Sequence, residues 1–269
     1  MTNWLGLPPV ASEQGPALDH MIVLVHVLML LLFVGWMGFF LYALFRFRRK
    51  RSPKADYVGV TSKTNTWLEA AVAVAEAILL VGLSMPLWAD RVNRLPDPAT
   101  ATRLRVVAQQ FAWNIHYPGP DGIFGRTDIS LVDEQSNPLG LDRSDPAAKD
   151  DVTTINQLHL PVDRPVLIQL TSKDVIHSFA LQEMRIKQDA IPGMVIPVWF
   201  VPKVTTDQMR EKTGNPEFGY EISCAQLCGL GHYRMRGYLT IHTQEGYQAW
   251  MDEQQALLAE EPAADDFWQ

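Results

Sequence analysis

The chain has 269 residues, of which 47% are hydrophobic and 20% are charged. This composition excludes a disordered or collagen-like chain. Two cysteines exclude a disulfide-dense scaffold and a four-cysteine zinc or iron–sulfur site. The formal net charge of −7 hides an asymmetry, because Lys and Arg are absent from residues 1–45 while seven fall between residues 46 and 66.

Two apolar segments predict a transmembrane hairpin. Residues 21–45 contain no Asp, Glu, Lys or Arg, and as a helix they would extend roughly 38 Å, enough to cross an apolar layer about 30 Å thick. This run is too long for the apolar part of a signal peptide, and no basic segment precedes it. The second segment runs from Trp67 to Trp88 and has a tryptophan at each end, as interfacial anchors often do.

The segment that joins the two predicted helices is basic, with seven Lys or Arg residues and one acid. Loops of this kind stay on the cytoplasmic side of a membrane. We therefore expect both chain termini outside the cytoplasm and an extracytoplasmic domain after about residue 90. Residues 89–269 hold 16 basic and 25 acidic groups, so the predicted domain is acidic.

The second apolar segment carries two glutamates. Glu69 lies one turn inside its cytoplasmic end, and Glu76 lies about 14 Å into the helix. An ionisable group at that depth costs on the order of 3 kcal/mol to insert, so it usually faces protein or water. Glu76 is therefore either a protonated group bonded to a neighbouring helix or part of a proton route. Both interpretations imply a larger membrane partner.

From residue 99 onward, short stretches rich in β-branched and aromatic residues alternate with turn signals. This pattern predicts an all-β antiparallel sandwich or barrel. The polar stretch 121–151 is predicted to be a loop, and residues 245–261 to be a helix. Strands are predicted within 103–119 and at 155–160, 166–171, 178–181, 194–201, 218–223 and 237–242. The predicted division is an external segment 1–20, a hairpin 21–90, a β domain 91–255 and an acidic tail 256–269.

The chemistry is concentrated in the string ISCAQLCGLGHYRM, which carries Cys224, Cys228, His232 and Met235. Two thiols, an imidazole and a thioether are soft or borderline ligands, which suit copper and not magnesium or calcium. Zinc is an alternative, although Met is an unusual zinc ligand. A disulfide between the two cysteines is another, because the compartment outside the membrane is oxidising.

The second cysteine indicates more than a mononuclear copper site. A mononuclear blue-copper site needs two His, one Cys and a weak axial Met, whereas two thiolates can bridge two metals. His177, at the start of an apolar strand, is the candidate for the second imidazole. Such a core shares one charge over two metals and two sulfurs and needs no open position, which favours an electron relay over a catalytic copper. The remaining histidines are interpreted as packing or surface residues: His20, His26, His116, His159 and His242.

The loop C-A-Q-L-C-G-L-G-H-Y-R-M resembles the dinuclear copper (CuA) loop in subunit II of haem–copper cytochrome c oxidases. Upstream, residues 174–193 resemble the segment that holds the first histidine ligand in that family. The order of two helices followed by an acidic β domain is also similar. The resemblance implies a transmembrane hairpin plus an all-β cupredoxin-like Greek-key barrel, in a bacterial inner membrane.

The resemblance further implies a function and partners. The chain would be the subunit of a proton-translocating oxidase that accepts electrons from a cytochrome c or a c-type haem domain. It would pass them to haem and copper in subunit I, where O2 is reduced to water and protons are pumped, alongside other oxidase subunits. No nucleic-acid partner is expected. The sequence contains no C-x-x-C-H motif, so we expect no c-type haem on this chain.

Site residues follow from the resemblance by position. The implied copper ligands are His177, Cys224, the backbone carbonyl of Gln226, Cys228, His232 and Met235. Phe111 and Trp113 fall in the segment where electrons enter, and Phe111 occupies the position where many members have an exposed tryptophan. Asp174 matches an acidic docking position. Glu69 resembles the acid at the mouth of a proton channel shared with subunit I, and Glu76 stands where many relatives have proline.

One departure concerns a second metal. The family usually has Glu between the two cysteines, where its side chain helps to bind a magnesium or manganese ion at the interface with subunit I. Gln226 lacks that charge, so the sequence predicts that this ion is weaker, absent or differently bound.

Other classes of protein share parts of the pattern. A membrane-anchored copper chaperone or thiol-redox protein of thioredoxin-like fold also uses C-x-x-x-C with a distant His. Such proteins usually have one anchor helix, and their cysteines lie at a strand-to-helix junction. The copper domain of nitrous oxide reductase shares the loop but comes with a large propeller domain. A purely structural subunit, as in quinol oxidases, would have lost both cysteines.

Overall fold

The computed structural model describes residues 5–55, 57–59 and 61–260. By its contacts the chain divides into two compact units. The first contains two long helices and the segment between them. The second contains residues 7–15 together with the described residues after residue 94.

The helical unit has two helices that are long and apolar enough to cross a membrane. Helix α1 spans Gly15–Arg46 and helix α2 spans Thr64–Asn93. Within α2, Ile78–Ser84 adopts π-helical hydrogen bonding, a geometry that often marks functional positions. The apolar runs predicted from sequence fall inside these helices, and α1 begins six residues before the predicted apolar run because the chain already turns into a helix at Gly15.

The second unit is a sandwich of ten strands. Their bounds are Thr102–Gln109 (β1), Ala112–Tyr117 (β2), Val152–Ile155 (β3), Gln157–Pro161 (β4), Val166–Ser172 (β5), His177–Leu181 (β6), Ile186–Ala190 (β7), Ile196–Phe200 (β8), Tyr220–Cys224 (β9) and Arg236–His242 (β10). Two short helices complete it, α3 at Thr206–Thr213 and α4 at Gln244–Glu260. The predicted acidic tail begins inside α4, and residues 261–269 lie outside the described residues.

The strands form two five-stranded sheets, in the orders β3-β2-β1-β5-β8 and β4-β10-β9-β6-β7. The predicted all-β sandwich is therefore confirmed, but purely antiparallel pairing is wrong at two places. Strand β1 pairs in parallel with β5, and β4 pairs in parallel with β10. In each case the chain passes through the other sheet between the two paired strands. It then returns to the first sheet in the same direction, so the pair is parallel. The alternation of residue types alone does not reveal this.

The core lies between the two sheets. Strand β1 alternates buried and half-buried side chains along its whole length, as a strand with one face on a core does. Strand β6 is buried at all five positions because neighbours cover both of its faces. The largest fully buried side chains are Trp113, Tyr117, Tyr220, Phe179 and Phe200.

The segment before α1 packs on the sandwich. The backbone nitrogen of Ala11 donates to Glu183 O at 2.8 Å, and the nitrogen of Lys203 donates to Ala11 O at 2.8 Å. The Ser12 hydroxyl donates to Met184 O at 2.8 Å. Residues 7–15 therefore fasten the turn after β6 to the chain that leaves β8, a contact that the sequence did not indicate.

Residues 121–151 form no strand, as predicted from their polar composition. Their end is fixed by a buried pair, in which His116 Nε2 lies 2.6 Å from the Asp151 carboxylate. The same carboxylate accepts the backbone N–H of Gly125 at 2.7 Å. This interaction ties the long loop to β2.

Candidate metal centre

Three segments of the sandwich bring the predicted ligands together. Strand β9 ends at Cys224, and residues 224–235, the ligand loop, connect it to β10. Strand β6 begins at His177 and pairs with β9, with Phe179 opposite Cys224. The backbone nitrogen of Ala225 also donates to Ser178 O at 2.9 Å. The first histidine is therefore held beside the first cysteine by sheet pairing.

The donor atoms form a row. Cys224 Sγ lies 3.9 Å from His177 Nδ1 and 3.8 Å from Cys228 Sγ. Cys228 Sγ in turn lies 3.6 Å from His232 Nδ1 and 3.7 Å from Met235 Sδ. The backbone oxygen of Gln226 lies 3.2 Å from Cys224 Sγ. All six predicted ligands are thus within one small region, with an imidazole at each end and the two sulfurs between.

This arrangement fits a metal centre better than the alternatives. Both cysteines are free thiols, and their 3.8 Å separation is far from the S–S bond of about 2.05 Å in a disulfide. Two metal–sulfur bonds of about 2.3 Å can span that gap through one shared ion. The donor atoms of His177, Cys224 and Cys228 all lie within 4.8 Å of one another. Cys224 does not lie at a strand-to-helix junction, because it ends β9 and a loop follows it.

Asp174 orients the first histidine. Its Oδ1 accepts a hydrogen bond from His177 Nε2 at 2.8 Å, which leaves Nδ1 to face Cys224. Metal-ligating histidines commonly donate their second nitrogen to a carboxylate in this way, which fixes the ring and its tautomer. Burial raises the pKa of the Asp174 carboxyl, but hydrogen bonds from His177 and from the backbone of Gln110 and Val175 outweigh it, so the pKa is lowered.

The two thiols differ in their ease of ionisation. Burial opposes ionisation of Cys224, but hydrogen bonds from His177 and from backbone groups outweigh it and lower its pKa below the ordinary value. Burial raises the pKa of Cys228, and the negative charge of Cys224 raises it further. Burial lowers the pKa of His177, but its bonds to Cys224 and Asp174 outweigh that effect and raise it. The surroundings therefore favour ionisation of Cys224 over ionisation of Cys228.

The two predicted aromatic residues lie on either side of the site. Trp113 is fully buried, and its ring lies edge-on to His177 with centroids 6.2 Å apart. Phe111 is half-buried and packs on the ligand loop at Gly229 and Gly231, where an added Cβ would lie 3.2 Å and 2.4 Å from its ring. Among these residues, Phe111 is thus the one that reaches the surface of the sandwich.

The membrane glutamates share one face of α2. They lie seven residues apart and border a cleft of about 200 Å³ between α1 and α2. The cleft is lined by Trp36, Leu68, Glu69, Val72, Ala73 and Glu76. Both carboxyls are exposed in the described chain.

Sequence reasoning missed Gln110. Its side-chain nitrogen donates to the backbone oxygen of Cys228 at 2.6 Å, across 118 positions of the chain. A glutamine next to a strand end carries no signal of such a contact. The role of Asp174 as the partner of His177 was also missed, although the spacing D-x-x-H was available as a clue.

The other histidines with described contacts lie away from the ligand loop, and His26 lies on α1 with its Nδ1 2.8 Å from Ile22 O. His116 is buried against Asp151. His159 Nδ1 lies 2.8 Å from His242 Nε2, and its ring stacks on Trp250 with centroids 4.3 Å apart. Burial, and then the nearby His242, lower the pKa of His159 to about 4.

Comparison with known proteins agrees with the geometry. Residues 103–241 match the family described as "Cytochrome C oxidase subunit II, periplasmic domain". The chain is 34% identical over 250 residues to the alternative cytochrome c oxidase subunit 2 of Bradyrhizobium diazoefficiens, covering 93% of this chain and 84% of the relative. It is 26% identical over 262 residues to cytochrome c oxidase subunit 2 of Cereibacter sphaeroides, covering 92% and 79%.

A solved structure is also similar. The periplasmic domain of subunit II of cytochrome oxidase from Bradyrhizobium japonicum aligns with 61% of this chain and 99% of its own length, at 23% identity and a TM-score of 0.41. The family match contains the ligand loop and His177, so the resemblance inferred from the loop motif is confirmed. With its two membrane-length helices and a domain of a periplasmic family, this chain belongs to the cytochrome c oxidase subunit II family.

Proposed function

We propose that the ligand loop and His177 hold a dinuclear copper centre. The observation that carries this proposal is the row of donors, in which two sulfurs 3.8 Å apart each face an imidazole Nδ1 on their outer side. The thioether of Met235 favours copper over zinc. The proposed ligands are His177, Cys224, the backbone carbonyl of Gln226, Cys228, His232 and Met235.

We infer that the centre relays electrons within a respiratory cytochrome c oxidase. Bound there, two copper ions would supply one-electron transfer with the charge shared over two metals and two sulfurs. Residues of this chain fix the positions of the donor atoms. Cys224 and His177 lie on paired strands, and Asp174 fixes the orientation of the His177 ring. Cys228 and Met235 are buried, which excludes water from that side of the core.

Family membership supports the rest of the proposed pathway. Electrons come from a cytochrome c or a c-type haem domain and pass to haem and copper in subunit I. There O2 is reduced to water, coupled to proton pumping. The assembled complex is then the enzyme, and this chain is its electron-accepting subunit.

We propose that electrons enter near Phe111 and Trp113. The half-buried ring of Phe111 against the ligand loop, and the buried ring of Trp113 beside His177, support this route. The acidic excess of residues 89–269 would steer a basic donor protein, and Asp174 is proposed to take part in docking. Exposed apolar side chains on the ligand loop offer a contact surface for a partner subunit: Leu227, Leu230 and Tyr233.

We propose that the basic segment between α1 and α2 lies in the cytoplasm, with both termini and the sandwich outside. The excess of Lys and Arg in this segment supports that orientation. The inner membrane of a bacterium is the proposed location, and the predicted boundary between hairpin and β domain at residue 90 is kept as part of this proposal.

We propose that Glu69 and Glu76 contribute to proton uptake. Their position on one cleft between α1 and α2 supports this role, since ionisable groups inside membrane segments usually have a function. In the assembled oxidase, Glu76→Gln should slow proton uptake. Unchanged uptake and turnover would assign Glu76 a structural role.

We propose that the interface magnesium or manganese ion is weak or absent, because Gln226 offers an amide where a carboxylate would bind it. The side chain of Gln226 is exposed, so a substitution there is tolerated by the fold. Gln226→Glu should raise the manganese content of the assembled complex. An unchanged content would show that the side chain is not at an ion site.

The copper proposal is tested by loading the full chain, purified in detergent, with copper. We expect two copper ions per chain and a mixed-valence spectrum by electron paramagnetic resonance in which one unpaired electron couples to both nuclei. Cys228→Ser should abolish that spectrum. Met235→Leu should alter it, whereas Met194→Leu, at an exposed methionine outside the ligand loop, should leave it unchanged.

The alternatives give different results. A single bound ion, or preference for zinc, would contradict the dinuclear proposal. A disulfide between Cys224 and Cys228 in the native, active assembly would favour a thiol-redox or copper-chaperone function instead.

A further inference from the structure

The turn between β1 and β2 lies against the ligand loop. The side-chain nitrogen of Gln110 donates to Cys228 O at 2.6 Å, and its backbone nitrogen donates to Asp174 Oδ2 at 2.7 Å. Asp174 uses its other oxygen to accept from His177 Nε2 at 2.8 Å. One residue is therefore bonded to the loop that carries the second cysteine and to the carboxylate that orients the first histidine.

We propose that Gln110 is a positioning residue, which sets the separation between the His177 side and the Cys228 side of the copper centre. This inference deepens the proposed electron-relay function and rests on it. Gln110 contacts no donor atom directly. It acts through the Cys228 carbonyl and through Asp174.

The need for such a residue follows from how the ligand loop is held. Sheet pairing fixes the loop at Cys224, where β6 and β9 pair, but Cys228 lies beyond the end of β9. Backbone hydrogen bonds within the loop occur further on, to the carbonyls of Gly229, Gly231 and His232. The bond from Gln110 therefore falls at the point where the loop has left one sheet strand and has not yet joined the next.

The close approach of the Gln110 side chain to Gly229 supports the proposed positioning role. This residue has φ +131°, and an added Cβ would lie 2.7 Å from the Gln110 side-chain nitrogen. Only glycine permits that backbone conformation and that proximity together. The loop is therefore shaped to receive the Gln110 amide next to the Cys228 carbonyl.

The expected size of the effect comes from other metal sites. Removing a residue that orients a ligand typically costs about 10-fold to 100-fold in metal affinity or activity. The bond from Gln110 is charge-neutral and partly exposed, so we expect the lower end, about 10-fold faster release of copper.

The test uses two substitutions that keep the length of the side chain and delete the donor, Gln110→Glu and Gln110→Met. Matched controls are Gln188→Glu and Gln188→Met, at a half-buried glutamine on β7 whose side chain bonds only weakly to Asp189 O, at 3.4 Å. All variants are made in the full chain in detergent. Four measurements are compared with the unsubstituted protein: copper release to a chelator, the copper hyperfine pattern, amide hydrogen exchange of residues 225–235 without copper, and the unfolding midpoint of the whole chain.

We expect both Gln110 variants to release copper faster and to change the copper hyperfine pattern. The backbone amides of the ligand loop should exchange hydrogen faster in both variants. The unfolding midpoint of the whole chain should stay within the range of the Gln188 controls. Copper release within twofold of the unsubstituted protein together with unchanged loop exchange would overturn the proposal. So would a general loss of stability without a loop-specific change, because that result describes a purely structural residue.

The two proposals can fail separately. If the unsubstituted chain binds no pair of copper ions, the electron-relay function fails, and the copper role of Gln110 fails with it. If it binds the pair and the Gln110 variants match the controls, only the positioning role fails.

Discussion

The contact between Gly231 and Phe111 allows a sharp test of how the ligand loop is shaped. A Cβ added at Gly231 would lie 2.4 Å from Cδ2 of Phe111, 2.6 Å from Cγ and 2.7 Å from Cε2. Carbon atoms in van der Waals contact are about 3.5 to 4.0 Å apart, so the ring or the loop would have to move by about 1 Å. Overpacking of this kind costs about 1 to 3 kcal/mol. We expect Gly231→Ala to lower the free energy of unfolding by about 2 kcal/mol and to reduce copper binding.

A double-substitution cycle identifies the cause of that loss. Phe111→Ala removes the ring, so Gly231→Ala should cost much less in that background than in the natural one. Gly219→Ala is the control, because nothing lies within 4 Å of its added Cβ, and we expect it to change stability by less than about 0.5 kcal/mol. Urea unfolding of the metal-free chain and the copper-to-protein ratio after loading measure both effects.

The reasoning would be refuted if Gly231→Ala cost the same with and without the Phe111 ring. In that case the aromatic side chain would not be the obstacle. A small loss in both backgrounds would show that the loop relaxes freely around residue 231.

Three further predictions concern charge and protonation. Asp151→Asn removes the buried carboxylate that accepts from Gly125 N and lies 2.6 Å from His116 Nε2; we expect a loss of about 2 kcal/mol in urea unfolding, since a buried polar group left without its partner costs about 1 to 3 kcal/mol, and a loss below about 1 kcal/mol would contradict it. Because burial and a neighbouring histidine lower the pKa of His159 to about 4, the unfolded chain takes up a proton below about pH 6.5 that the folded chain does not. Stability should therefore fall between pH 6.5 and 4, and His159→Leu should flatten that slope in unfolding titrations. In the metal-free chain the pKa of Cys224 is lowered and that of Cys228 raised, so iodoacetamide at pH 7 should modify Cys224 first in peptide mass spectra; equal rates would be inconsistent with this difference.

The features that sequence predicted well are those encoded within a short stretch. The four side-chain donors of the ligand loop lie within twelve positions, so their softness and spacing are visible without a structure. The two apolar segments are visible for the same reason. His177 was identified from 47 positions away because it begins an apolar strand and because residues 174–193 resemble the segment that holds the first histidine ligand in the family.

The features that sequence could not supply depend on which distant segments meet. The parallel pairs of β1 with β5 and of β4 with β10 follow from the path of the chain between sheets, and no local pattern records that path. Strand β7 was missed because its side chains alternate between half-buried and exposed and include Lys187 and Asp189. The segment before α1 was predicted to be external. Its packing on the sandwich was not predicted, since nearly all its partners there are backbone groups about 170 or more positions away in the sequence.

The site itself combines features encoded in one short stretch with features that depend on distant segments. The ligand loop supplies the donor atoms, and its two glycines let the backbone pass close to the turn between β1 and β2. The distance between the two halves of the site is then set by residues distant in the sequence, through the β6–β9 pairing and the Gln110 bond. Substitution of either cysteine should therefore remove the centre outright, whereas substitution of Met235 should alter it. Substitutions at residues 110 and 111 should leave all the ligands present and change only how firmly they are held, which is the property on which fast electron transfer with little rearrangement depends.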